Sequence, residues 1–199
     1  MIRSRNLGRS FGEKTVLEAV NLDVAAGDIL LVTGRNGSGK STLLALLAGL
    51  LAPTRGTLEV AAERRSIGFV GHEPLLYQEL TAAENLDLFG RLYRVQEHRE
   101  RSGMLLERYG IWDVRHDRVS SFSRGMQQRL ALCRAMLHEP ALLLLDEPFA
   151  ALDAEGVELL SDALAEPSQQ RTLVVSSHQP DRLEPIATLR LALEVGRSR

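Results

Sequence analysis

Nine residues, GRNGSGKST at positions 34–42, constrain this chain more than any other stretch. They match the pattern G-x-x-x-x-G-K-[ST], and each demand of that pattern is physical. Glycine lets a backbone wrap closely around an anion and take positive φ where a side chain would clash. Successive exposed N–H groups then form a nest for phosphate oxygens. The lysine, Lys40, is placed to reach the outer phosphates of a nucleotide, and the hydroxyl of Ser41 to join a Mg²⁺ shell. The flanks agree. ILLVT at 29–33 reads as a buried central strand, and the apolar run that follows Ser41 reads as a buried helix over 41–50. Gly34, Arg35, Asn36, Gly37, Ser38, Gly39, Lys40, Ser41 and Thr42 are therefore the candidate nucleotide contacts.

The rest of the chain alternates strands and helices. Residues 16–24 read as half-buried strands, and TLEV with SIGFV as two more. From about 73 to 137 the pattern turns helical, which predicts an inserted helical lobe. ALLLLDEP at 141–148 returns to a buried strand. A helix over 154–166, a strand TLVVSS and a final strand TLRLALEV complete the expectation. Such alternation predicts an α/β fold around a mainly parallel sheet.

Two further clusters carry chemistry. Asp146 and Glu147 stand just past the buried strand LLLL, at the sheet edge where open α/β folds place their ligands. Asp146 is the candidate for holding Mg²⁺ and Glu147 for acting as general base on water. His178 follows the next strand and can hold water and Glu147 in line. SSFSRGMQQR at 120–129 is a second anion site: a hydroxyl, a glycine and a helix start, where free N–H groups and the helix dipole favour negative charge. One chain thus carries two phosphate-binding elements.

With these motifs in this order, the chain resembles the ATP-binding cassette (ABC) ATPases over essentially all of its 199 residues. The resemblance implies a P-loop NTPase fold with an antiparallel N-terminal β-subdomain and the helical insertion, as a single domain over 1–199. It implies ATP and Mg²⁺ as ligands. It also accounts for the second anion site. In that family two copies pack head to tail, so Ser123, Arg124, Gly125 and Met126 would meet the ATP held by the other copy. The family's usual Leu-Ser-Gly-Gly-Gln is here Phe122-Ser123-Arg124-Gly125-Met126; Ser123 and Gly125 are retained, and 124 and 126 depart. Phe11 matches the aromatic that stacks on adenine, and Asp153 the carboxylate that links the two sites. His72 stands where the family has a glutamine that touches Mg²⁺ or the attacking water, so His72 is a further metal candidate.

GHEPLLYQELTAAENL, FSRGMQQRLALCRAMLHEP and LLLLDEPFAALD are most similar to the ATP-binding subunits of cytochrome c maturation haem exporters. That likeness implies integral membrane permease subunits as partners, docking near residues 75–89, and a homodimer at the cytoplasmic face of the inner membrane. The alternatives are the ATPase of another small exporter, for a drug, lipid or ion, and a soluble cassette ATPase. A formal charge of −2 supplies no field for nucleic acid, so none is expected as a partner. The first residues, MIRSRNLGRSF, lack the apolar core of a signal peptide, and the longest apolar run is about half of what spans a bilayer.

Overall fold

The computed structural model describes residues 1–165, 171–178, 180–194 and 197–198. It divides into two compact units. The first comprises Met1–Phe69, Ala141–Glu147 and Ser168–Arg199, and the second Val70–Pro140 and Pro148–Pro167.

The first unit opens with β1 (Ile2–Phe11) and β2 (Lys14–Val24), an antiparallel pair, followed by β3 (Ile29–Gly34), α1 (Lys40–Leu47), β4 (Arg55–Val60) and β5 (Ile67–Val70), whose last residue falls to the second unit. β6 (Leu142–Asp146), β7 (Thr172–Ser177), β8 (Leu189–Glu194) and β9 (Arg197–Ser198) complete it. A three-stranded antiparallel sheet has the order β2-β1-β4, and a six-stranded sheet the order β5-β6-β7-β3-β8-β9. β6–β7, β7–β3 and β3–β8 pair in parallel; β8–β9 is antiparallel.

The sequence expectation missed β1 altogether, although it is the centre of the smaller sheet. Its burial alternates at Ile2 and Ser4, then shifts phase at Leu7, because the register slips between Ser4 and Leu7 and Asn6 sits at φ 48°. A bulge of this kind breaks the period-two pattern by which a strand is recognised. The expected strands over 16–24 are one strand, β2. The helix expected over 41–50 runs Lys40–Leu47 and closes at Gly49, whose φ is +68°, rather than at Pro53.

The four leucines of β6 are fully buried. They need no alternation, since a parallel strand covered on both faces is apolar throughout. Leu142 and Leu144 share a core with Leu43, Leu44, Leu46 and Leu47 of α1 and with Leu30, Val32 and Val174 of the neighbouring strands. Each such side chain contributes about 1.5–3 kcal/mol by leaving water. The functional loops at the carboxyl ends of β3, β6 and β7 are thus anchored in one packed cluster.

The second unit contains α2 (Ala82–Leu92), α3 (His98–Arg108), α4 (Arg124–Met136) and α5 (Ala154–Ala165). α2 begins with a capping box: the Thr81 hydroxyl accepts from the Glu84 amide, and the Glu84 carboxylate accepts from the Thr81 amide. Asp87 ties α2 to α3 through His98 and Arg99. These hydrogen bonds, with Arg91 nearby, draw its carboxyl down to about 2. No described helix is long and apolar enough to cross a membrane.

Candidate functional site

The loop between β3 and α1 has the conformation that the glycine pattern demands. Gly34, Gly37 and Gly39 lie at φ 150°, 80° and 99°. A Cβ on Gly34 would strike the Ser38 hydroxyl and the Leu193 carbonyl, so only glycine fits there. Gly39 caps α1 without a side chain, and no acidic residue occupies the first turn. The N–H groups of Gly37, Gly39, Lys40, Ser41 and Thr42 find no backbone acceptor among the described residues. The Ser38 hydroxyl is buried and makes no hydrogen bond among the described residues. A row of free amides, a buried unpaired hydroxyl and a helix N-terminus fit a polyphosphate.

Lys40 closes the cradle. Its ammonium donates to the Gly34 carbonyl at 2.8 Å and lies 3.2 Å from Glu147 Oε1. The other carboxylate oxygen, Oε2, is 2.7 Å from His178 Nδ1 and accepts the His178 amide at 3.1 Å. Burial raises the Glu147 carboxyl, but the His178 hydrogen bonds and the Lys40 ammonium outweigh it and hold the group below its ordinary value. The structure therefore brings together Lys40, at the start of α1, and Glu147 and His178, which directly follow β6 and β7.

Glu147 pays for this placement in backbone strain: its φ is +50°, in the left-handed region, at about 1 kcal/mol for a residue with a side chain. Its amide is gripped twice, by the Ser176 carbonyl at 3.2 Å and the Ser176 hydroxyl at 2.9 Å. That hydroxyl in turn donates to Asp146 Oδ1 at 2.5 Å. Asp146 is buried, and its Oδ2 takes no hydrogen bond from the described residues. A free carboxylate oxygen and the Ser41 hydroxyl are the hard oxygen donors that Mg²⁺ prefers. No group of three or more His, Cys, Asp or Glu capable of holding a metal occurs among the described residues. Mg²⁺ bound here would complete its shell from phosphate and water, its usual habit at nucleotide sites.

Phe11 ends β1 with its ring nearly half exposed, and the Arg9 guanidinium stands 4.5 Å from the ring centroid.

The second unit holds the other candidates. Ser123 is the N-cap of α4, its hydroxyl accepting from the Met126 amide at 3.2 Å, and Arg124 is exposed. Gly125 approaches the loop over 148–153 so closely that a Cβ would stand 3.1 Å from the Ala151 carbonyl. Asp153 accepts from the Gly156 amide at the start of α5, and its other oxygen lies 4.0 Å from the buried Arg129 guanidinium. His72 is exposed and makes no hydrogen bond among the described residues. Ser176 and Arg129 were not singled out in the sequence. The signal available for Ser176 was a hydroxyl within a strand that is buried throughout, since a buried hydroxyl needs a reason.

Residues 17–150 match the family model described as ABC transporter. The chain belongs to the ABC transporter family and carries its ATPase domain. It is 34% identical over 203 residues to the ABC transporter ATP-binding protein NatA of Bacillus subtilis (strain 168), covering 94% of this chain and 82% of NatA. It is 32% identical over 194 residues to the lantibiotic transport ATP-binding protein SrtF of Streptococcus pyogenes, covering 94% and 84%. Against the uncharacterized ABC transporter ATP-binding protein YxlF of Bacillus subtilis (strain 168) it is 36% identical, covering 89% of this chain but only 62% of YxlF, less than two thirds. Among solved structures, the ATP-binding cassette MJ0796, a dimer in a post-hydrolysis state bound to ADP and Pi, superposes with a TM-score of 0.87 at 28% identity, covering 100% of this chain and 97% of that one. The ABC ATPase fold expected from the sequence is thus the fold observed. Haem export finds no echo in the names of these relatives.

Proposed function

We propose that this chain is the ATP-hydrolysing subunit of a membrane exporter, acting as a head-to-tail homodimer bound to integral permease subunits at the cytoplasmic face of the membrane. The observation that carries the reading is the Glu147 carboxylate held between Lys40 and His178 beside the phosphate loop.

The amides of residues 34–42 bind the phosphates, and Phe11 stacks on the base. Ser41 and Asp146 would hold Mg²⁺, which would supply positive charge against the phosphates. A γ-phosphate takes over Lys40, and Glu147 is left free to accept a proton from water. His178, hydrogen-bonded to that carboxylate, fixes its direction. In the dimer, Ser123, Arg124, Gly125 and Met126 of one copy meet the ATP of the other, and Asp153 links the two sites. His72, in the place of the family's glutamine, is proposed to relay the state of the nucleotide to the permease. Closure is driven because ATP binds the closed pair better than the open one.

Two cargo readings stand. The Ser-Arg-Gly-Met signature and His72 support haem export for cytochrome c maturation. The relative named for lantibiotic transport supports export of a peptide antibiotic or similar drug. Purifying the tagged chain from native membranes and identifying its multi-span partners separates them.

The catalytic reading is tested by Glu147→Gln. The variant is expected to bind ATP as the wild type does and to lose steady-state hydrolysis by about 100-fold or more. Turnover near the wild-type rate rejects Glu147 as the base.

A further inference from the structure

β7 runs TLVVSS and lies parallel to β6, with Ser176 directly opposite Asp146. Ser176 is fully buried. A side chain in that position needs only to be small and apolar; a hydroxyl there is costly unless its hydrogen bonds are made. They are made to two consecutive residues. The hydroxyl proton goes to Asp146 Oδ1 at 2.5 Å, and a lone pair receives the Glu147 amide at 2.9 Å. One donor and one acceptor site of a single hydroxyl are thus committed to the backbone and side chain that carry the candidate metal ligand and the candidate base.

The two bonds have different consequences. The bond to Asp146 holds one carboxylate oxygen and so sets the direction of the other. The bond to the Glu147 amide reinforces the left-handed turn at that residue, which is the turn that brings its carboxylate to Lys40 and His178. Without the hydroxyl the Glu147 amide keeps the Ser176 carbonyl at 3.2 Å, so folding has a fallback. Asp146 Oδ1 has none among the described residues.

We infer that Ser176 is a positioning residue for ATP hydrolysis: its buried hydroxyl aligns Asp146 and Glu147 as a pair. The inference rests on the reading of Glu147 as the base. It predicts a loss in the chemical step, not in nucleotide binding, and a matching loss in metal affinity, because groups that orient a metal ligand contribute about 10–100-fold to metal affinity or activity.

The test uses the full chain and four variants: Ser176→Ala, Ser176→Thr, Ser176→Val and Glu147→Gln. Steady-state kinetics give kcat and KM for ATP. Electron paramagnetic resonance of Mn²⁺ titrated into each protein with a non-hydrolysable ATP analogue gives metal affinity without turnover. Ser176→Ala should lose about tenfold or more in kcat and in Mn²⁺ affinity, with KM for ATP moved by no more than about twofold. Ser176→Thr and Ser176→Val have the same shape and differ in the hydroxyl, so Thr should recover both quantities and Val should not. Circular dichroism and melting confirm that the variants fold. Wild-type kcat and Mn²⁺ affinity in Ser176→Ala, or equal impairment of Thr and Val, overturns the proposal. If Glu147→Gln is inactive in that case, the catalytic reading survives and only the role of Ser176 falls. If Glu147→Gln turns over normally, both fall.

Discussion

Glu147 is the residue on which the site's electrostatics turn. Its burial alone would raise the carboxyl and favour a neutral acid, but His178 and Lys40 reverse the sign. A general base, the role proposed for Glu147, must be charged before the reaction starts, and this pairing favours the charged form. The linkage follows from that direction. A carboxyl whose folded value lies below its unfolded value adds stability that is fully present above the unfolded value and is lost as pH falls through the folded one. For Glu147 the window lies at and below the ordinary 4.5 of a glutamate. The stability of wild type relative to Glu147→Gln should therefore be constant at neutral pH and shrink as pH drops below that value. Melting temperatures of the two proteins across an acid series check it; a gap that widens on acidification contradicts the ion pair. The candidate groups at this scale were readable as types at spacings, because phosphate binding demands glycines and a lysine in fixed order. The turn at Glu147 was not readable, since nothing in its side chain announces positive φ. Ser176 was not read either, although a hydroxyl in a buried strand was in plain view.

At the level of elements, α2 and α3 show how packing overrules propensity. Gly90 lies in the middle of α2, where glycine costs about 1 kcal/mol against alanine. By propensity alone Gly90→Ala would stabilise. But a Cβ there would stand 2.5 Å from His98 Cβ and 2.6 Å from His98 Cγ, atoms close to the α3 backbone that cannot swing aside. Overpacking of this kind costs about 1–3 kcal/mol. The net expectation is destabilisation by about 1 kcal/mol, with a lower melting temperature measured by calorimetry; a raised one would mean that α3 moves freely against α2. The elements themselves were legible where burial is uniform. β3 and β6 are mostly apolar runs, and β7 carries one at its centre, because parallel strands are covered on both faces, and α4 follows Ser123 as a capped helix start. β1 was illegible because the bulge around Asn6 shifts its alternation.

On the scale of the whole molecule, the two anion-binding elements belong to different compact units, the phosphate loop to the first and the Ser123 cap to the second. A chain that needed only to hold one nucleotide would have no use for the second. The helix start at Ser123 offers an exposed hydroxyl, the exposed Arg124 and a glycine against the 148–153 loop, which also carries Asp153. In the proposed dimer this surface completes the other copy's site, so dimerisation is itself a nucleotide-binding event and gains from ATP by mass action. Ser123→Arg puts a long side chain and a charge where close approach is required, yet leaves every residue of the phosphate loop itself unaltered. The variant should bind ATP as a monomer with wild-type affinity and fail to dimerise when ATP is added to a hydrolysis-deficient Glu147→Gln background. Equilibrium binding of a fluorescent ATP analogue measures the first and size-exclusion chromatography with light scattering the second. ATP-dependent dimers of unchanged stability would remove Ser123 from the interface. Lost ATP binding in the monomer would mean instead that Ser123 serves the nucleotide of its own chain, and the head-to-tail arrangement would have to be abandoned.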